Sequence, residues 1–127
     1  MFASLFRKEV PEWELDPGPG FLPAGDGKLI FPDFAFRSRT TGRVLYLELF
    51  HRWHRSQLTV RLKDCAEGRF PDLLLGVDRA LLKQDGLLRA ELEKDPFFSG
   101  SGFFFRDFPG VENVSKLLNG TRPLFGG

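Results

Sequence analysis

Two carboxylates stand out because each lies in an otherwise largely apolar segment. Asp33 lies within residues 28–37, and Glu48 is the one charged residue of residues 44–50. Burial penalises a carboxylate unless a cation or hydrogen bonds compensate it. If the hairpin between the two segments turns near residues 40–41, the two acids lie seven residues before and seven residues after the turn. We therefore expect them to be cross-strand neighbours.

Two like charges at this spacing repel each other, and a hard divalent cation between them removes the conflict. Such a cation lowers the pKa of bound water and stabilises charge on a phosphoryl oxygen, which is what phosphodiester hydrolysis requires. The alternative is structural, since an Asp at a β-bulge and a Glu facing solvent are ordinary on a half-exposed hairpin. The spacing alone leaves both interpretations open.

The segment around and after the second carboxylate is rich in cations. Residues 37–69 contain eight Lys and Arg against three acidic residues, within a chain whose net charge is +1. Four consecutive positions combine positive charge with an indole that can stack on a base: Arg52, Trp53, His54 and Arg55. This pattern favours contact with a nucleic-acid backbone. The alternative is a Trp at the edge of the core with charged neighbours in water.

The composition limits the number of domains and the cellular location that we expect. The 127 residues are 42% hydrophobic and include 15 Phe, enough for one core, so we expect a single domain over residues 1–127. No apolar run is long enough to cross a bilayer, and the first residues do not resemble a secretory signal, which predicts a cytoplasmic protein without membrane contact. One cysteine, Cys65, and two histidines exclude an internal disulfide and a zinc finger.

The hydrophobic pattern predicts the elements that position these residues. Strands are expected at residues 13–15, 28–37, 44–50, 70–77 and 102–106. Helices are expected at residues 1–8, at 56–67 with Ser56 as N-cap, as broken turns over 79–94, and at 111–118. Pro32 predicts a sheet edge or a bulge, the helix at 56–67 predicts a parallel crossover, and the tail 121–127 is expected to fray.

The chain resembles a known superfamily. Phe31-Pro32-Asp33, followed after a hairpin by Tyr46-Leu47-Glu48-Leu49-Phe50, resembles the PD-(D/E)XK signature of the restriction-endonuclease-like nucleases. Over residues 9–118 the order of short motifs is similar to the nuclease region of the uncharacterised prokaryotic family that includes the nuclease partner of the archaeal XPB-type helicase. These motifs also include Trp13-Glu14-Leu15, Trp53, Arg61-Leu62 and Asp72-Leu73-Leu74-Leu75-Gly76-Val77-Asp78. The resemblance implies an α/β fold, a mixed central sheet flanked by helices.

The resemblance also implies roles for single residues. Asp33 and Glu48 take the family's metal-binding positions, with the main-chain carbonyl of Leu49 as a further ligand, for Mg²⁺ or Mn²⁺. The segment Arg52, Trp53, His54 and Arg55 would then guide the DNA backbone.

One position departs from the superfamily pattern. The third motif residue, a lysine in the superfamily, is Phe50 here. Arg61 or Lys63 on the following helix could reach back to act as the electrostatic helper and to contact DNA. Loss of activity is equally compatible with this substitution.

Three functions follow from these observations. The first is a metal-dependent DNA endonuclease that acts with an XPB-type helicase in DNA repair or processing, on branched or single-stranded DNA. The second is a catalytically inactive nucleic-acid-binding or helicase-docking module of the same fold. The third is a structural subunit that buries its Phe-rich segments, residues 97–98 and 103–105, against a partner.

Overall fold

The computed structural model describes residues 2–23 and 27–120. The helices are α1 (Phe2–Glu9), α2 (Arg55–Ala66), α3 (Arg79–Gln84), α4 (Leu88–Lys94), α5 (Pro96–Ser101) and α6 (Val111–Leu118). The strands are β1 (Trp13–Asp16), β2 (Leu22–Pro23), β3 (Leu29–Ile30), β4 (Phe34–Ser38), β5 (Val44–Phe50), β6 (Leu73–Asp78) and β7 (Gly102–Phe105). The predicted fraying of residues 121–127 lies outside the described residues.

Five strands form one mixed sheet in the order β1-β4-β5-β6-β7. The pairs β1–β4 and β4–β5 are antiparallel, whereas β5–β6 and β6–β7 are parallel. The α2 helix connects the parallel neighbours β5 and β6, which confirms the predicted crossover. The prediction of an α/β fold with a mixed sheet and flanking helices is likewise confirmed.

Hydrophobic side chains fill a layer on each face of the sheet. On one face, Leu45 and Leu47 of β5 belong to the cluster that contains Phe6 of α1 and Val114 of α6. On the other face, Phe50 belongs to the cluster formed with α2, α3, α4 and α5. This alternation along β5 is the period of two that a strand covered on both faces requires.

The predicted strand over residues 28–37 is wrong as a single element. It breaks at residues 31–33, so that β3 pairs with β2 in a separate two-stranded ribbon and β4 joins the main sheet. Pro32 has no N–H to donate to a ladder, which explains the break. Of the two alternatives for Pro32, a bulge fits the β4–β5 ladder, which is irregular at the neighbouring Asp33, whereas β4 itself lies between β1 and β5 and is not an edge strand.

The other expected elements differ in detail. The α2 helix has His54 rather than Ser56 at its N-cap. The sixth strand begins at Leu73, and α5 lies in a segment for which no helix is predicted.

The hypothesis of a structural subunit requires Phe-rich segments that are exposed to a partner. Phe98 and residues 103–105 are instead buried in the chain's own core. Among the described residues, no helix is long and apolar enough to span a membrane.

Candidate functional site

The structure brings Asp33 and Glu48 together where the hairpin spacing predicts. The Asp33 N–H donates to the carbonyl of Leu47 at 2.9 Å, and its Oδ2 accepts the Leu49 N–H at 2.7 Å. Asp33 thus contacts β5 on both sides of Glu48. The first of these bonds is one residue out of the register that pairs Phe34 with Leu47, so the β4–β5 ladder is irregular at this point.

Both carboxylates line one small pocket of about 210 Å³. Its other lining residues are Phe31, Leu49, Phe50, His54 and Gln57. Asp33 is exposed, whereas the side chain of Glu48 is only 14% exposed. The pocket therefore combines one solvated acid with one that is largely desolvated.

Arg61 of α2 binds Glu48 through two contacts. Its Nε donates to Oε1 at 2.6 Å and its Nη2 donates to Oε2 at 3.3 Å. Burial raises the pKa of Glu48, the hydrogen bond and charge of Arg61 lower it, and the negative charges of Asp33 and Asp64 raise it further. The raised pKa of Glu48 means that burial outweighs the attraction of Arg61.

A second acid shares the same guanidinium. Arg61 Nη1 donates to Asp64 Oδ2 at 2.8 Å, and Lys28 Nζ lies 3.3 Å from Asp64 Oδ1. The Asp64 side chain is 3% exposed, so its charge depends on these cations. Sequence reasoning missed Asp64 and Lys28. The i,i+3 spacing of Arg61 and Asp64 on a helix was the available signal.

The structure separates the two helper candidates. Arg61 reaches Glu48, whereas Lys63 is exposed and does not line the carboxylate pocket. Phe50, which occupies the superfamily's lysine position, is 1% exposed and belongs to the core beneath α2. A cation at this position would have to be buried, and Arg61 instead supplies the positive charge from the helix.

The oxygen donors suit a hard divalent cation such as Mg²⁺ or Mn²⁺. A carboxylate has about four lone-pair sites, and Arg61 occupies two on Glu48 while Leu49 occupies one on Asp33. Within residues 2–23 and 27–120, no group of three or more His, Cys, Asp or Glu side chains is arranged to hold a metal. A cation in this pocket would depend on Asp33 and Glu48, with main-chain or water oxygens completing its coordination.

The four residues expected to contact DNA separate into different environments. Arg52 and Trp53 are exposed and line a large groove. His54 lines the carboxylate pocket, and its Nδ1 accepts the N–H of His51 at 2.9 Å. Burial, followed by the charge of His51, lowers the pKa of His54, while Asp33 raises it.

Arg55 has acidic partners inside the chain. Its Nη2 lies 3.2 Å from Asp85 and 3.7 Å from Glu91. These carboxylates reduce its attraction for a phosphate, so among the four candidates Arg52 and Trp53 are the best placed to meet a nucleic acid.

Comparisons with known proteins give no further guide. No protein-family model matches the chain. Neither a curated protein nor a solved structure matches it significantly. The residues of the site are therefore the guide to function.

Proposed function

We propose that the protein is a metal-dependent DNA nuclease with a restriction-endonuclease-like fold. The observation that carries this proposal is the position of Asp33, whose main chain and carboxylate contact β5 on either side of Glu48. Two carboxylates in one pocket, one directly before β4 and one on β5, form the minimal oxygen site for Mg²⁺ or Mn²⁺. A cation bound there would activate water and stabilise charge on a phosphoryl oxygen.

The chain's own residues hold the rest of the proposed site. The Leu49 N–H fixes the orientation of the Asp33 carboxylate. Arg61 is the cation beside Glu48 and takes the role of electrostatic helper in this proposal, with Glu48 and Asp64 sharing its charge. The mixed sheet order and the resemblance of Phe31-Pro32-Asp33 and Tyr46-Leu47-Glu48 to the superfamily signature support the same proposal. The resemblance also supports action beside an XPB-type helicase.

A second function is favoured by one specific contact. Arg61 already neutralises Glu48 with two hydrogen bonds, so the protein has a partner for this carboxylate without any metal. In this alternative the domain binds nucleic acid but does not cut it. The two functions differ in whether divalent cations bind at the carboxylates.

The test measures Mn²⁺ binding by calorimetry and cleavage of a fluorescently labelled branched DNA in the same buffer. The nuclease proposal expects Mn²⁺-dependent cleavage and saturable binding. We expect Asp33→Asn to abolish cleavage and to weaken Mn²⁺ binding by about tenfold or more, because it removes one of two charged ligands. Glu48→Gln is expected to have the same effect.

Asp72→Asn is the matched control. Asp72 also follows a proline and lies just before β6, but it pairs with Arg43 at 3.5 Å and does not line the carboxylate pocket. This control should keep full binding and cleavage. Wild-type protein that ignores Mn²⁺ yet retards DNA would instead support the binding module.

A further inference from the structure

A second and larger concavity lies at the carboxyl ends of the three parallel strands. Its volume is about 950 Å³. Each strand contributes the residues at or just after its end: His51, Arg52 and Trp53 for β5, Asp78 and Arg79 for β6, and Arg106 and Asp107 for β7. In open α/β sheets, ligands bind in the crevice outside the carboxyl ends of the strands. We call this concavity the strand-end groove.

The strand-end groove is positively charged. Five of its lining residues are cationic: Arg52, Arg79, Lys83, Arg89 and Arg106. Its two acids are Asp78 and Asp107, and the Asp78 carboxylate accepts the Ala80 N–H at 2.9 Å.

Three of the groove's cations remain available to a ligand. Arg52, Lys83 and Arg106 are exposed and form no ion pair with any residue that the structure describes. Arg89, in contrast, lies 2.9 Å from Glu93. The groove is therefore suited to a chain of phosphates rather than to a neutral ligand.

Trp53 presents an aromatic surface at this groove. Trp53 is 64% exposed, whereas the chain's other tryptophan, Trp13, is 7% exposed. The ring stacks on His51 with centroids 5.1 Å apart and planes 19° apart, and the Arg52 guanidinium lies 6.0 Å from its centroid. These contacts orient the indole while most of it stays in water. An oriented, exposed indole beside cations is a platform on which a nucleic-acid base can stack.

The backbone after β7 is strained at the groove. Asp107 has φ of 67°, and it is the one non-glycine residue with positive φ in the described part of the chain. The Phe108 N–H donates to the Arg106 carbonyl at 2.7 Å, which closes a tight three-residue turn. Such backbone strain is often found at ligand sites, where it fixes neighbouring groups. Here it lies directly after Arg106, one of the groove's cations.

We propose that the strand-end groove binds single-stranded nucleic acid, with phosphates on Arg52, Lys83 and Arg106 and a base on Trp53. A single strand fits better than a duplex, because a base must leave its stack to cover an indole. The inference deepens the proposed nuclease function by naming the form of its substrate. The path between the two sites is short, since His51 lines the groove and donates its N–H to His54 of the carboxylate pocket.

The test measures fluorescence anisotropy of a labelled oligothymidylate of about 12 nucleotides, in EDTA so that no metal chemistry contributes. Wild-type protein should bind it more tightly than a duplex of the same length. Trp53→Ala should weaken binding by about tenfold, the usual effect of losing one base–aromatic stack, and Trp53→Phe should restore most of the loss. Since Trp53 is exposed, neither change should affect folding, which circular dichroism checks.

The double variant Lys83→Ala/Arg106→Ala tests the phosphate contacts. It should weaken binding and reduce the slope of log affinity against log salt by about 1.4, as expected for two phosphate contacts on a single strand. The control Lys8→Ala/Arg37→Ala removes the same charge from exposed positions that do not line the groove. This control should leave both the affinity and the slope of log affinity against log salt nearly unchanged.

Three results would overturn the inference: equal or tighter binding of duplex, an unchanged affinity in Trp53→Ala, or an equal loss in the two double variants. The assay also separates this inference from the proposed nuclease. Groove-dependent binding in EDTA without Mn²⁺-dependent cleavage would retain the groove and reject the nuclease. Cleavage that depends on Asp33 but is unaffected by Trp53→Ala would retain the nuclease and reject the groove as its binding site for single strands.

Discussion

Replacing Arg61 by Met should destabilise the protein more than any surface charge change. Arg61 and Glu48 have side chains that are 13% and 14% exposed, so the substitution leaves a largely buried carboxylate without its cation. Removing one partner of a buried ion pair costs roughly 3–5 kcal/mol. We expect a loss of about 3 kcal/mol, the lower end, because Asp64 keeps Lys28 at 3.3 Å and Glu48 can take up a proton.

The pH dependence of this loss gives a sharper test. Arg61 lowers the pKa of Glu48 against the larger effect of burial, so its removal should raise the pKa of Glu48 further above that of the unfolded chain. The folded variant then binds a proton more tightly than its unfolded state. Its stability therefore falls as the pH rises from the pKa of Glu48 in the unfolded chain to the higher pKa of Glu48 in the folded variant. The destabilisation should therefore be smaller at about pH 5 than at about pH 8.

Urea unfolding of the variants measures both effects. A double-mutant cycle with Glu48→Gln should give a coupling energy of about 1.5 kcal/mol or more, since the two residues share two hydrogen bonds. Lys116→Met is the control, because its partner Glu112 is 82% exposed and the change should cost under about 1 kcal/mol. A loss below about 1 kcal/mol for Arg61→Met, or an equal loss at both pH values, would refute this account of the ion pair.

Two further predictions concern packing. Gly102→Ala should lower the free energy of unfolding by about 2 kcal/mol in denaturant titrations, because its Cβ would overlap the ring of Phe98, which is fully buried. Gly100→Ala in α5, where nothing lies within 4 Å of an added Cβ, should instead be neutral or stabilising, and an equal effect of both changes would contradict the clash. Burial also raises the pKa of the Cys65 thiol to about 12, so the reactive thiolate is scarce at pH 8. The folded protein should therefore react with a thiol reagent far more slowly than the urea-unfolded chain, and similar rates would show that Cys65 is accessible.

The sequence was informative where the relevant residues are close along the chain. The placement of Asp33 and Glu48 in one pocket follows from the length of one hairpin, and Arg61 lies on the helix that follows the second strand. The β5 boundaries follow from one apolar run, and the α2 boundaries are close to the observed ones because Leu58, Leu62 and Cys65 lie at helical spacing before Gly68. For the hairpin and α2, the hydrophobic pattern and the short separation along the chain were sufficient.

The sequence was less informative where the fold joins distant segments. The strand-end groove brings together three cations that lie far apart in the chain: Arg52, Lys83 and Arg106. They line one groove only because the parallel strands end at the same edge of the sheet. The α5 helix was missed because Ser and Gly dominate its second half. Its signals were Asp95, whose side chain accepts the Phe98 N–H at 2.9 Å, and Pro96 at the first helical position.

The packing of α1 against α6 has a consequence for biosynthesis. Phe2 and Phe6 of α1 share a hydrophobic cluster with Val114 and Leu117 of α6, and the indole N–H of Trp13 donates to Asn119 at 3.3 Å. A ribosome makes these partners more than a hundred residues apart. The nascent chain therefore carries aromatic side chains that lack their final cover until α6 emerges, and chaperone binding during that interval would protect it from aggregation.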